Sequence, residues 1–230
     1  MQAVVIGISC GDLNGIGLEV TLKALSKKSA SLASGQLSIR LYCREDVLLA
    51  TQDLMPHFPT LGGAVQAINP WQDRPIKLQP GKLSPEMGQA ALDSFSMACD
   101  DLESGHIDAL VTAPLHKANV PAQQGQPFSG HTGYLSQRFH GKALMVLSAG
   151  STRVALATEH VPIKQLDALL GPALLTEKLL AFHQALQVDF GISNPTIAVL
   201  GLDPHAGDHG TIGDADKAWV KPVIQALQAD

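Results

Sequence analysis

The sequence predicts an α/β fold with a largely parallel sheet. Short apolar, β-rich runs alternate with stretches of helical period along the chain. The first such run, residues 3–8, ends in a glycine-rich turn that leads straight into a helical pattern. The composition gives such a fold material for a core: 45% of the 230 residues are hydrophobic and 16% are charged.

Each element has its own signal. Ala3-Val4-Val5-Ile6-Gly7-Ile8 is an apolar run suited to a buried strand. From 16 to about 28, Ile16, Val20, Leu22, Ala24 and Leu25 keep a helical spacing. Residues 37–43 read as a second strand and 47–54 as a short helix. Weaker strand signals at 65–68 and 76–78 sit among Pro and Gly. Ser84-Pro85-Glu86-Met87 is a good helix start, with a capping hydroxyl and a first-turn proline. Met87, Ala90, Ala91, Phe95, Ala98 and Leu102 follow on one face, as core positions. Strands are expected at 109–112, 143–147, 153–157 and 196–200, with helices at 172–187 and 214–227. Residues 121–130 hold a cluster of Pro and Gly and read as a hinge. Two lobes are therefore expected, 1–125 and 126–230, with no internal repeat.

Several function classes fall away. Sixteen Lys and Arg against 21 Asp and Glu leave a net charge of −5. Without a basic run there is no footprint for nucleic acid, and 4% aromatics give few stacking platforms. No apolar run reaches the roughly 20 residues that cross a bilayer, so no membrane partner is expected. The first nine residues lack a basic segment and read as a strand rather than a signal peptide. Cys10, Cys43 and Cys99 are scattered, with no zinc spacing, and fit buried thiols of a cytoplasmic protein.

In parallel sheets, ligands gather at the carboxyl ends of strands. Gly11-Asp12-Leu13-Asn14-Gly15-Ile16-Gly17 follows the first strand and reads either as a ligand-facing loop or as a tight strand–helix turn. It is neither a dinucleotide fingerprint nor a P-loop. His116-Lys117 follows the 109–112 strand and suits either an anion site or a solvated pair. Gly130-His131-Thr132-Gly133 suits recognition of a polar, phosphorylated small molecule, or a simple helix cap by Thr132. His160 and His205 each follow an expected strand, and imidazole is a good ligand for Zn or Co.

Taken together, five segments resemble one family in order and spacing. They are Gly11-Asp12-x-x-Gly15-Ile16-Gly17-x-Glu19, Val111-Thr112-Ala113-Pro114-x-His116-Lys117, Gly130-His131-Thr132, Ala155-Leu156-Ala157-Thr158-x-His160-x-Pro162 and Gly201-Leu202-x-Pro204-His205-Ala206-Gly207-Asp208. The chain resembles the 4-hydroxythreonine-4-phosphate dehydrogenase family over nearly its whole length. The resemblance implies a two-lobed fold of the isocitrate and isopropylmalate dehydrogenase type. It implies a homodimer whose active site lies in a cleft completed by the partner subunit. The reaction implied is NAD-dependent oxidation of 4-phosphooxy-L-threonine, with loss of CO₂, to 3-amino-2-oxopropyl phosphate in pyridoxal 5′-phosphate biosynthesis. By the same resemblance His160 and His205 hold a divalent metal (Zn, Mg or Co), and His131 and Thr132 bind substrate. A metal there acts as a Lewis acid on the substrate hydroxyl. Glu159 and Asp208 stand nearby as candidates to orient the imidazoles.

Three departures from the family pattern stand out. Gly133 occupies a place where the family commonly has Glu, which leaves open another phosphorylated four-carbon hydroxy acid as substrate. Asp208-His209-Gly210-Thr211 replaces a Glu-Gly-Gly-His run. Relatives also continue past the position of Asp230, with a His-Asp-Gln-Gly motif that supplies a third metal ligand. The first lobe is therefore expected to be incomplete here, with an open edge strand and little turnover. Weak metal affinity is expected unless Asp203, Asp208 or His209 substitutes for the third ligand. Two further classes remain as alternatives: a metal-assisted phosphoester hydrolase, and an inactive fragment that serves in binding.

Overall fold

Four parallel strands order the first half of the chain, in a computed structural model that describes residues 3–53, 63–122 and 125–229. They are β1 (Val4–Ser9), β2 (Leu37–Tyr42), β3 (Val65–Ala67) and β4 (Ala109–Thr112), and they lie in the order β3-β2-β1-β4. Ile6 and Ile8 of β1 stand opposite Ile39 and Leu41 of β2, and Ile8 stands opposite Val111 of β4. The chain leaves β1 for one neighbour and later crosses to the other. In open parallel sheets such a reversal, here between β1 and β4, is where ligands tend to bind at the carboxyl ends of the strands.

Helices cover this sheet. α1 (Gly17–Lys27) buries Leu18, Thr21, Leu22 and Leu25, one stripe at helical spacing. α2 (Ser29–Ala33) and α3 (Glu45–Asp53) follow β1 and β2 as short connectors. The helix expected over 47–54 begins two residues earlier, and Leu54 lies outside the described residues. α4 (Pro85–Glu103) starts as its sequence dictates, with the Ser84 hydroxyl accepting from Met87 N at 3.4 Å and Pro85 in the first turn. It buries Met87, Ala90, Ala91, Phe95 and Ala98 as expected. The Ser94 hydroxyl ties the layers together: it accepts from Cys10 N at 3.0 Å and donates to Tyr42 O at 2.7 Å.

Residues Met1–Phe139 form one compact unit and His140–Asp230 another. The expected boundary at 125/126 thus falls inside the first unit, and residues 123 and 124 of the expected hinge lie outside the described ones. The reason is α5 (His131–Arg138), which packs on α4. Tyr134 lies against Phe95 with centroids 4.9 Å apart, and Arg138 pairs with Asp100 and Glu103.

In the second unit, β5 (Val146–Ala149) and β6 (Thr152–Ala155) make an antiparallel hairpin. They overlap the strands expected at 143–147 and 153–157 with shifted bounds, and the intervening Gly150-Ser151 turn joins them as an antiparallel pair. α6 (Ile163–Leu169), α7 (Pro172–Val188) and α8 (Lys221–Ala229) complete the unit. The last helix begins as a π-turn over Asp216–Val220.

Two expected strands are corrected. Residues 196–200 and 76–78 have strand composition but form no ladder among the described residues. A strand needs a hydrogen-bonded neighbour as well as a β-branched sequence. Ile76 and Leu78 pack against the first core instead, and residues 197–202 line an apolar cavity of about 400 Å³ beside β6 and α7. No helix among the described residues is long and apolar enough to cross a membrane.

Candidate functional site

The loop after β1 is tied down from several sides. Asp12 N donates to Pro114 O at 3.0 Å, which joins the turn to the segment after β4. Asn14 is 5% exposed; it accepts from Gln79 N at 2.7 Å and donates to Lys82 O at 3.0 Å. Asp12 Oδ1 accepts from Asn14 N at 3.0 Å. These bonds use the polar groups of the turn for its own closure, so of the two sequence readings the tight strand–helix turn fits the structure better.

The segment after β4 carries the more open polar groups. Lys117 begins a short 3₁₀ turn, Lys117–Asn119, and its side chain is exposed. Its ammonium packs over Gly130, where an added Cβ would meet Lys117 Nζ at 2.8 Å. The flexible end of Lys117 could move away from such a Cβ, but Gly130 also has φ +93, and that backbone is what favours glycine there. His131 then opens α5 and Thr132 follows with an exposed side chain.

His131 is the most constrained polar group at this junction. Its ring meets Phe95 edge-on, with centroids 4.8 Å apart, and Phe128 at 6.4 Å. Burial, with help from the Lys117 charge, holds the imidazole below the ordinary histidine range, so the neutral form is favoured. Its Nε2 is buried and has no hydrogen-bond partner among the described residues. An unpartnered buried nitrogen costs about 1–3 kcal/mol, which a ligand's polar group can recover.

Gly133, the departure singled out in the sequence, has a local cause. A side chain there would collide with Ser129 Oγ. Ser129 fills the space into which a residue-133 carboxylate would project. The composition of 128–133 gave no direct sign of this, nor of Phe95 and Phe128 as walls for His131. Phe95 was legible only as a core position.

The second unit holds the two histidines expected to bind metal. His160 follows β6, and His205 lies in the turn Pro204–Gly210. Both side chains are exposed and neither ring is held in a hydrogen bond among the described residues. Both also have positive φ, +54 and +53. The neighbouring Glu159 has a buried Oε2 without a partner among the described residues. In kind, an uncommitted imidazole suits a divalent cation, and His160 and His205 each offer one, with the Glu159 carboxylate next to His160 in the sequence. In number they fall short: among the described residues no three His, Cys, Asp or Glu side chains gather where a metal would sit. Asp203, Asp208 and His209 thus do not complete a triad. Asp203 accepts from Ala215 N at 3.3 Å, while Asp208 and His209 are exposed on the turn.

The turn itself is unusual. Residues 205–209 all have positive φ, from 42 to 85. For the four that are not glycine, this left-handed backbone costs about 1–2 kcal/mol each. Strain of this kind persists only where neighbouring structure enforces it.

Known proteins place these features in context. Residues 20–230 match the family described as "Pyridoxal phosphate biosynthetic protein PdxA". A 4-hydroxythreonine-4-phosphate dehydrogenase of Bacteroides thetaiotaomicron is 34% identical over 97% of this chain and 63% of its own length. One from Chromobacterium violaceum is 35% identical over 98% of this chain and 70% of its own. The chain therefore spans less than two thirds of the Bacteroides relative. The crystal structure of a 4-hydroxythreonine-4-phosphate dehydrogenase from Burkholderia phymatum is similar with a TM-score of 0.80 and 29% identity. That likeness covers 99% of this chain and 71% of the other.

Proposed function

The chain belongs to the PdxA family of pyridoxal phosphate biosynthetic proteins, and from that premise we propose that it serves the NAD-dependent oxidation of 4-phosphooxy-L-threonine. The oxidised product loses CO₂ to give 3-amino-2-oxopropyl phosphate. The observation that carries the reading is the buried, unpartnered Nε2 of His131 beside the Lys117 ammonium and the start of α5.

Each residue has a part that follows from its surroundings. His131, kept neutral by burial, offers one ring nitrogen to a polar group of the substrate without adding charge. Lys117 supplies the positive charge that a phosphate needs. Thr132 adds a hydroxyl in the first turn of α5, where backbone N–H groups also favour an anion. His160 and His205 are the residues that would hold the divalent cation, with Glu159 next to His160 in the sequence. When bound, the cation would supply Lewis acidity, and NAD would supply the redox chemistry. The same reading takes the protein as a cytoplasmic homodimer of the isocitrate dehydrogenase type.

Gly133 favours a second reading within the family, another phosphorylated four-carbon hydroxy acid as substrate. Ser129 rather than a carboxylate lies beside the His-Thr pair, and that removes one possible anchor for the substrate's amino group. Calorimetric titration separates the two. Wild-type protein with Zn²⁺ is expected to bind 4-phosphooxy-L-threonine, and His131→Ala to lose at least tenfold in affinity. Tighter binding of a four-carbon aldonate phosphate selects the second reading. Equal affinity of wild type and His131→Ala for both ligands rejects the site.

A further inference from the structure

Positive φ at a non-glycine residue occurs singly at Gln72, His140 and His160, but residues 205–209 form a continuous run. A left-handed run of this length does not hold itself, because each L-residue relaxes toward negative φ when released. Something outside the turn has to fix its ends.

The fixing group is Asp216. It is 4% exposed and opens the π-turn Asp216–Val220. Its carboxylate accepts from Leu202 N at 3.1 Å to each oxygen, and from Asp203 N at 2.9 Å. Asp203 answers in the other direction, accepting from Ala215 N at 3.3 Å through its own carboxylate. The carbonyl of the same Asp203 accepts from Ala206 N at 2.9 Å, which starts the left-handed turn. Ile212 N closes the far side on Gly207 O at 3.1 Å. The π-turn is consistent with a demand for position. The wide turn alters the helical register around residue 216, and π-turns are often found at functional sites.

We infer that Asp216 is the positioning residue for His205: its buried carboxylate clasps the backbone at 202–203 and so sets the left-handed turn that presents the His205 ring. The importance given to His205 rests on the proposed role of that imidazole in holding a divalent cation. Neither Leu202 nor Asp203 is replaced in this arrangement by another acceptor, since both amides go to the one carboxylate. Removing the carboxylate strands two backbone donors and frees the turn to move to negative φ.

The test uses the full 230-residue chain as wild type, Asp216→Ala, Asp216→Asn, Asp216→Glu and His205→Ala. Backbone NMR shifts of residues 205–209 report the left-handed conformation, and amide exchange at 202 and 203 reports the clasp. Co²⁺ titration, followed by its visible absorption, reports the imidazole position. In Asp216→Ala the 205–209 shifts are expected to leave the left-handed range. The 202 and 203 amides should exchange at least tenfold faster. Co²⁺ affinity should fall roughly 10- to 100-fold. Asp216→Glu should recover part of each effect. Asp216→Asn, nearly isosteric and with one acceptor oxygen left, should lie between and stands in if the alanine variant does not fold. Unchanged shifts and exchange in the variants, with only a lower melting temperature, would overturn the inference and leave Asp216 a packing residue. Co²⁺ uptake by His205→Ala equal to wild type overturns the metal reading instead, and the NMR result still decides the role of Asp216.

Discussion

His131 shows how much one buried ring is asked to do. Phe95 and Phe128 fix its plane, and burial with the Lys117 charge lowers its proton affinity in the folded chain. The unfolded chain therefore binds that proton more readily, with the ordinary histidine value of 6.5 as reference. The stabilisation from a neutral His131 is complete above that value and is lost as pH falls through the window below it, toward the folded-state pKa. Wild-type urea midpoints should drop as pH is lowered from about 7 to 5, and His131→Asn should flatten that slope. Parallel slopes in the two proteins would show that the ring does not carry the effect. Asp101 behaves in the opposite chemical sense. Burial alone raises its carboxyl, but hydrogen bonds from Tyr42 and His106 and the Arg40 charge outweigh that and hold it below the usual carboxylate range.

At the scale of elements, α4 is locked to the carboxyl ends of both β1 and β2. Ser94 makes that lock, with the hydroxyl 0% exposed and bonded to Cys10 N and Tyr42 O. Ser94→Ala leaves both backbone groups buried without partners, a cost of about 1–3 kcal/mol. Denaturant unfolding should show that loss as a lower midpoint at unchanged slope. A change below 0.3 kcal/mol, taken as roughly the noise of such comparisons, would show that the helix packs without it. α5 extends the same arrangement. Its docking on α4 through Tyr134 and Arg138 brings His131 against Phe95, so the candidate substrate residues are set by a helix–helix contact.

Over the whole molecule, burial is uneven. The largest fully buried side chains, among them Tyr42, Phe95, Leu22, Ile39 and Leu41, all belong to the first unit. The second unit leaves Ile163 and Leu200 85% exposed and Val188 73% exposed. Local stability follows buried apolar contact. Hydrogen exchange should therefore be slowest in β1, β2 and α4, and faster throughout the hairpin, α6 and the 196–202 segment. Equal protection in the two units would contradict this burial account.

Local patterns such as the run of Ala3 to Ile8, the Ser84-Pro85 cap and the Met87–Phe95 stripe fix their own elements, because propensity, capping and one buried face are local properties. The expectation for His131, Thr132, His160 and His205 likewise rests on their order along the chain, through the family resemblance. Tertiary structure decided what depends on a distant partner. Residues 76–78 and 196–200 found no ladder, α5 joined the first unit, and Ser129 took the space beside Gly133. The Asp216 clasp belongs to the same class: a carboxylate thirteen and fourteen positions away from the amides it holds leaves no periodic trace in the sequence, and only the fold brings them together.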